Sequence, residues 1–293
     1  MRRQFLVALV LTLVAILAGS CSDGDDEGGS WHPCKRSTEA VPHATGPTDV
    51  VLRIGGSGGL PPPSFMPDSI PDLTLYGDGW LLGIDGATAG QLVPGLAGRQ
   101  LTEDEVQALL HDAEAACLLK RDAFLDLPDV FDVPGIAFRT NTGSASHQTF
   151  AIGLGWSEMD PNVPAHQKEQ RAALIDFMDG AFKLLDGGAA TPLETERLGV
   201  FFSEADARPT QSDWPTVTWP LEEPLATFGQ ASPEAYPNVY CTVAEGKDVR
   251  TLLAVVEGMP SGQNPYWQDG KSWYQLELRP MLPDEKDCAA LIA

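Results

Sequence analysis

The stretch Leu73-Thr74-Leu75-Tyr76-Gly77-Asp78-Gly79-Trp80-Leu81-Leu82-Gly83-Ile84 commits this chain to antiparallel sheet. Two apolar runs flank Gly-Asp-Gly, and Asp78-Gly79 supplies the positive φ angles that a tight hairpin needs. Strands joined so closely pair antiparallel. Asp72, Asp78 and Asp85 then read as turn and edge residues of this hairpin, not as a metal cluster. Further β-branched or alternating runs predict strands at Thr48–Ile54, Ile136–Asn141, Gln148–Leu154, Arg197–Phe202, Thr216–Trp219, Val239–Val243 and Trp273–Leu278. After the first run, Gly55 to Gly59 and Pro61-Pro62-Pro63 predict an irregular, extended loop.

Helical spacing appears in three places. Thr102 and Glu105 form a capping box, after which Val106, Leu109, Leu110, Ala113 and Cys117 make one buried stripe, with His111 off it and solvated. A second helix spans about Ala165 to Leu185, turning Leu174, Phe177, Met178, Ala181 and Leu185 inward, and Gly187-Gly188 end it. A third covers Lys247–Glu257, and Pro283-Asp284-Glu285 opens a short terminal helix holding Cys288. The fold class is α+β: a mostly antiparallel sheet with about three packed helices. Helix-then-strand order recurs at Val106–Leu154 and Val249–Leu278, which suggests two similar lobes, 48–188 and 189–293.

The chain begins Met1-Arg2-Arg3, with an apolar run of 14 residues from Phe5 to Ala18 and then Gly19-Ser20-Cys21. Cationic start, apolar core and small residues before a cleavage point are the parts of an export signal, here residues 1–20. The run falls short of the roughly 20 apolar residues that span a bilayer. Leu17-Ala18-Gly19-Ser20-Cys21 resembles the lipobox of bacterial lipoproteins, with Ala18 where Leu is usual. That resemblance implies lipidation of Cys21 and a mature protein anchored to the membrane on its extracytoplasmic side. Ala18 and Ser20 also satisfy the small-x-small rule for ordinary cleavage, so the alternative is a secreted soluble chain. Residues 21–47, acidic and glycine-rich at Asp23–Ser30, read as a tether ahead of a globular region over 48–293. Asp23, Asp25, Glu27 and Gly28 mimic the start of a calcium loop, but its twelfth position is Cys34.

Removing the first 20 residues leaves 273, with 17 Lys+Arg against 41 Asp+Glu and a formal charge of −24. A body so acidic repels phosphate backbones and anionic lipid headgroups, which argues against a nucleic acid partner and leaves membrane contact to the acyl chains. Setting Cys21 aside, Cys34, Cys117, Cys241 and Cys288 make an even number, which outside the cytoplasm favours two disulfides. Three pairings exist. The reading favoured here joins neighbours within each half, Cys34–Cys117 and Cys241–Cys288. These close loops of 83 and 47 residues, worth about 4 kcal/mol each by chain entropy. No CxxC spacing appears, and His32 and His43 near Cys34 complete no zinc pattern.

Candidate chemistry is thin. The glycine cluster at 55–59 runs into prolines instead of a helix N-terminus, which excludes a phosphate loop. Ser146 and His147 sit together, but adjacent strand residues point to opposite faces, so no nucleophile–base pair is predicted. His166 completes a scattered set of histidines. Glu222-Glu223 and Asp284-Glu285 are the conspicuous acid pairs, the second suiting a helix N-terminus. Trp156, Trp214, Trp219, Trp267 and Trp273 could stack on a carbohydrate or fill the core. No catalytic, cofactor-binding or metal residue is assigned, and no cofactor is implied.

Leu73-Thr74-Leu75-Tyr76-Gly77-Asp78-Gly79, and Leu278-Arg279-Pro280-Met281-Leu282-Pro283-Asp284-Glu285 with Cys288 behind it, are similar to stretches of a group of uncharacterised secreted lipoproteins of high-GC Gram-positive bacteria. The resemblance covers about residues 48 to 288 and implies a cell-envelope location without an activity. It also implies pairing of Cys241 with Cys288. The expected function is a lipid-anchored, non-enzymatic binding or scaffold module. It would engage an envelope protein or polysaccharide through loops such as Gly55–Pro63. The alternative is a cell-wall polymer hydrolase working through acidic residues.

Overall fold

Eight strands build the first sheet: β1 (Val50–Ser57), β2 (Leu73–Tyr76), β3 (Trp80–Ile84), β4 (Leu96–Gln100), β5 (Ala123–Leu125), β6 (Gly135–Asn141), β7 (Ser146–Ile152) and β8 (Thr191–Leu193). They lie in the order β5-β7-β6-β1-β2-β3-β4-β8, antiparallel except for β5 on β7. Helices α1 (Glu103–Ala115) and α2 (Ala165–Asp186) cover one face. The computed structural model describes residues 31–57, 70–127, 132–155, 163–187, 190–205, 215–228, 230–231, 238–257, 259 and 264–291. Leu52, Ile54, Leu73, Leu75, Leu81 and Phe138 from the strands meet Val106, Leu109, Leu110, Leu174, Phe177 and Leu185 from the helices in the main core.

The second sheet contains β9 (Arg197–Ala205), β10 (Thr216–Thr218), β11 (Gln230–Ala231), β12 (Tyr240–Glu245), β13 (Tyr266–Asp269) and β14 (Ser272–Pro280), ordered β10-β13-β14-β9-β12-β11. Helix α3 (Lys247–Val256) buries Val249, Leu252 and Val256 against Leu198, Val200, Phe202 and Leu276. The short α4 (Cys288–Leu291) packs with Phe201, Cys241 and Met281 on the opposite side. The α+β class with mostly antiparallel sheets is therefore the observed one. Each sheet carries a three-residue parallel strand at one edge. The hairpins beside those edges run in opposite senses. β6 next to the centre precedes β7, whereas outer β13 precedes inner β14.

The Leu73–Ile84 hairpin forms, with a looser turn than the sequence suggests. Its loop has three residues, and within it only Gly79 has a positive φ, +87°. The Gly79 N–H donates to the Tyr76 carbonyl at 3.0 Å, and Asp78 Oδ1 accepts from the Trp80 amide at 3.2 Å. A left-handed glycine closing a three-residue loop is the next most common hairpin solution.

Helix α1 starts with the expected capping box between Thr102 and Glu105. It stops two residues before Cys117, however, and the predicted stripe leaves the helix there. Cys117 has φ +65°, its N–H donates to the Glu114 carbonyl, and the Leu118 N–H donates to Ala113. This is the Schellman end, with a cysteine where glycine is usual. Holding a side chain in that conformation costs roughly 1–2 kcal/mol. The disulfide from Cys117 to Cys34 ties the residue in place. The second disulfide joins Cys241 on β12 to Cys288 on α4.

The tether expected over 21–47 does not extend through the described part of that range. Trp31 to Ala293 form one compact unit. Trp31 and Val41 are buried, the Val41 amide donates to Gln107 Oε1 at 2.7 Å, and the Ser37 amide donates to Glu114. Strand β1 runs through Gly55 and Gly56, assigned above to a loop, because β6 supplies partners as far as Ser57↔Gly135. The rest of that predicted loop lies outside the described residues, as do residues 1–30 with Cys21.

Candidate functional site

Among the described residues, the face of the first sheet opposite its helices is covered at one end only. Over β1 to β4, Tyr76, Leu82, Leu96 and Ile70 pack against Leu282 from the segment after β14. The stretches Leu73–Gly79 and Leu278–Glu285 meet here. The Tyr76 hydroxyl donates to Asp284 Oδ1 at 2.5 Å, and Arg53 Nη2 donates to the same oxygen at 2.7 Å. Burial works to lower the Arg53 guanidinium, but the Asp284 carboxylate outweighs it and holds the group above its ordinary value. Burial first, then the bond to Asp284, pushes the Tyr76 phenol well up.

One residue on, Glu285 grips Arg279 with both oxygens, at 2.7 and 2.8 Å, and accepts the Leu282 amide at 2.7 Å. The two side chains of this ion pair are 5% and 4% exposed. Asp284 and Glu285 precede α4 in sequence, as expected of acids at a helix start. Their work is different: each neutralises an arginine between the sheets.

Over β6, β7 and β5 no described residue covers this face, and Arg139, Gln148 and Phe124 are exposed there. A cleft of about 440 Å³ lies there, lined by residues that include Arg53, Asp122, Arg139, Asn141, Ser146, His147 and Gln148. Arg139 stands directly across from Arg53 on β1 and from Gln148 on β7. Like charges in that relation repel. Arg53 has Asp284 and also donates to Thr74 Oγ1, whereas exposed Arg139 makes no hydrogen bond or ion pair among the described residues. Asp122 is already engaged, since its Oδ1 accepts the Gln148 amide at 2.8 Å and lies 3.5 Å from His147 Nδ1. Two residues along the strand, Phe150 stacks on Phe124 at 5.8 Å, and Phe124 is 63% exposed.

The residues singled out in the sequence fall elsewhere or do other work. Ser146 and His147 line the same cleft, yet no hydrogen bond joins them among the described residues. Trp219 and Trp267 are buried and meet edge to face at 5.9 Å, so they are core, not a stacking platform. Trp156 and Trp214 lie outside the described residues. His111 is half-buried rather than solvated, 3.5 Å from Glu114. His43 is held by the Ala44 carbonyl, and no group of metal-ligating side chains gathers among the described residues.

Glu222 and Glu223 line a second, larger cleft of about 700 Å³ on the α3 side of the second sheet, with Glu245, Asp248 and Asp287. Glu222, Glu223, Glu245 and Asp287 are exposed, and Glu245 is paired with Arg197 at 2.9 Å. General-acid chemistry calls for a desolvated carboxyl beside its partner. Among the described residues, the carboxyl that burial raises to about 7 is Glu277, on β14, and it lines neither cleft.

Sequence reasoning missed Arg53, Arg139 and the fully buried Arg171. The last donates to the carbonyls of Leu125, Asp126 and Ile152, tying α2 to the ends of β5 and β7. Arg53 and Arg139 were each visible as the lone cation of a strand run. Only the pairing of β1 with β6, which sets Arg53 against Arg139 across a separation of 86 residues, brings them together. Compared with family models, with curated proteins and with solved structures, the sequence matches none.

Proposed function

We propose that this chain is a lipid-anchored cell-envelope protein, held at the extracytoplasmic face by acyl chains on Cys21 and acting as a non-enzymatic binding module. The observation that carries this reading is the Cys34–Cys117 disulfide, 13 residues beyond the lipobox-like cysteine. Paired cysteines persist in oxidising compartments, and a second pair, Cys241–Cys288, agrees. No helix among the described residues is long and apolar enough to cross a membrane, so attachment falls to the N-terminus. The resemblance to secreted lipoproteins of high-GC Gram-positive bacteria points the same way. The binding surface is the open cleft beside Arg139, and its partner is a component of the envelope. Acid-dependent hydrolysis of a wall polymer is the second reading. The cluster of carboxylates in the larger cleft favours it, and their exposure weighs against it.

The test is fractionation with intact-mass measurement of the full chain and its Cys21→Ala variant. The natural protein should sediment with membranes, carry a diacylglyceryl mass and lack residues 1–20, and the variant should lose the lipid mass. A cytosolic protein that keeps its leader overturns the proposal.

A further inference from the structure

We propose that the cleft between β1, β6 and β7 takes a small soluble ligand with an oxyanion head, carboxylate or phosphoryl, on an apolar body. Arg139 binds the head and the Phe124–Phe150 pair binds the body. This rests on the reading of the cleft as the binding surface.

Three observations converge on it. First, two arginines oppose each other on neighbouring strands, a repulsive arrangement that only half relaxes, because Asp284 serves Arg53 and nothing described serves Arg139. Departures from local consistency of this kind concentrate where function demands them. Second, the surrounding protein has 41 acidic against 19 basic residues. An arginine without a carboxylate is out of place in such a chain, and the acid in the cleft lining, Asp122, accepts the Gln148 amide and makes no ion pair with Arg139. An anion entering here meets a guanidinium with five donors, which suits the two oxygens of a carboxylate or phosphate. Third, Gln148 and Phe150 stand on the same face of β7, two residues and roughly 7 Å apart. The pair lies outside the cleft lining, farther along the same face, so a ring or chain that reaches out of the cleft from a head on Arg139 meets Phe124. The cleft volume lies within the range of small-molecule sites. The overall negative charge of the body disfavours the other source of such a head, a lipid headgroup in an anionic bilayer.

The experiment is calorimetric titration of the full chain, purified from whichever fraction carries it, with phenyl phosphate, benzoate and inorganic phosphate. Co-sedimentation with anionic phosphatidylglycerol vesicles runs in parallel, using the lipid-free Cys21→Ala variant. Phenyl phosphate and benzoate should bind with dissociation constants on the order of 1 mM or tighter. Arg139→Gln should weaken them by about 10- to 100-fold, the loss of a charged bidentate contact, and Arg139→Lys by less. Phe124→Ala should erase the preference for phenyl phosphate over inorganic phosphate. Arg139→Gln should leave the melting temperature unchanged or higher, since a repulsion is removed. No saturable binding of either aromatic probe, or binding that survives Arg139→Gln, overturns the proposal. So does vesicle capture that depends on Arg139. The fractionation result above is independent of all these outcomes.

Discussion

Changing Glu285 to Gln keeps the shape of the side chain and removes one charge from the junction between the sheets. Both Glu285 oxygens accept bonds, one from Arg279 and the other from Arg279 and the Leu282 amide. The amide nitrogen that replaces one of them faces an N–H donor whichever way it turns. At least one buried donor is left unmet, at about 1–3 kcal/mol. The Arg279 charge also loses its counter-ion while Arg279 Nε already lacks a partner among the described residues. Breaking a buried pair from one side costs about 3–5 kcal/mol in total, or roughly 10 °C in a domain of this size.

The assay is urea and thermal unfolding followed by circular dichroism at pH 6, below the value of about 7 to which burial raises neighbouring Glu277. At that pH Glu277, raised by burial, is mostly protonated in the parent and a poor substitute counter-ion. Adding Arg279→Met to Glu285→Gln removes the stranded charge and should bring stability back to within about 1 kcal/mol of the parent. A loss below about 1 kcal/mol for Glu285→Gln, or a double variant as unstable as the single one, refutes the reasoning.

Other perturbations follow from the same structure. Glu277→Gln should alter the pH profile of stability. The unfolded carboxyl ionises near 4.5 and the folded one near 7, so the unfolded state binds fewer protons in between and parent stability falls as pH rises across that window. The decline should be about 2 kcal/mol, allowing for partial contact with water, and denaturant midpoints of the variant should lack it. Cys241→Ser with Cys288→Ser should lower unfolding stability by about 4 kcal/mol through the released 47-residue loop, read as a drop in urea midpoint under non-reducing conditions.

Local signals carried much of this fold. Helices α1 and α3 show in apolar periodicity, and the β2–β3 hairpin shows in its turn residues, because each is decided within a dozen positions. Strands β4, β5, β8, β11 and β13 were not legible. Leu96-Ala97-Gly98-Arg99-Gln100 has a glycine at its centre and becomes a strand because β3 offers partners from Trp80 to Ile84. Residues Thr191-Pro192-Leu193 pair only because they pass the free edge of β4. The cleft was hidden for the same reason. Arg53, Arg139 and Asp284 are far apart in sequence, and their meeting depends on strand order and on where the chain returns after β14, which no local pattern encodes. Cys117 shows the limit from the other side. Its spacing fits the helix, yet the Schellman turn takes it out of the helix.

That turn governs how the molecule meets tension. A pull on the N-terminus reaches buried Trp31 and then Cys34, where the covalent link passes it across to the C-terminal end of α1, packed on the main core. Strand β1, at the centre of its sheet with β2 and β6 on either side, is shielded from unzipping. The load is borne by a covalent bond and by a helix seated on the core.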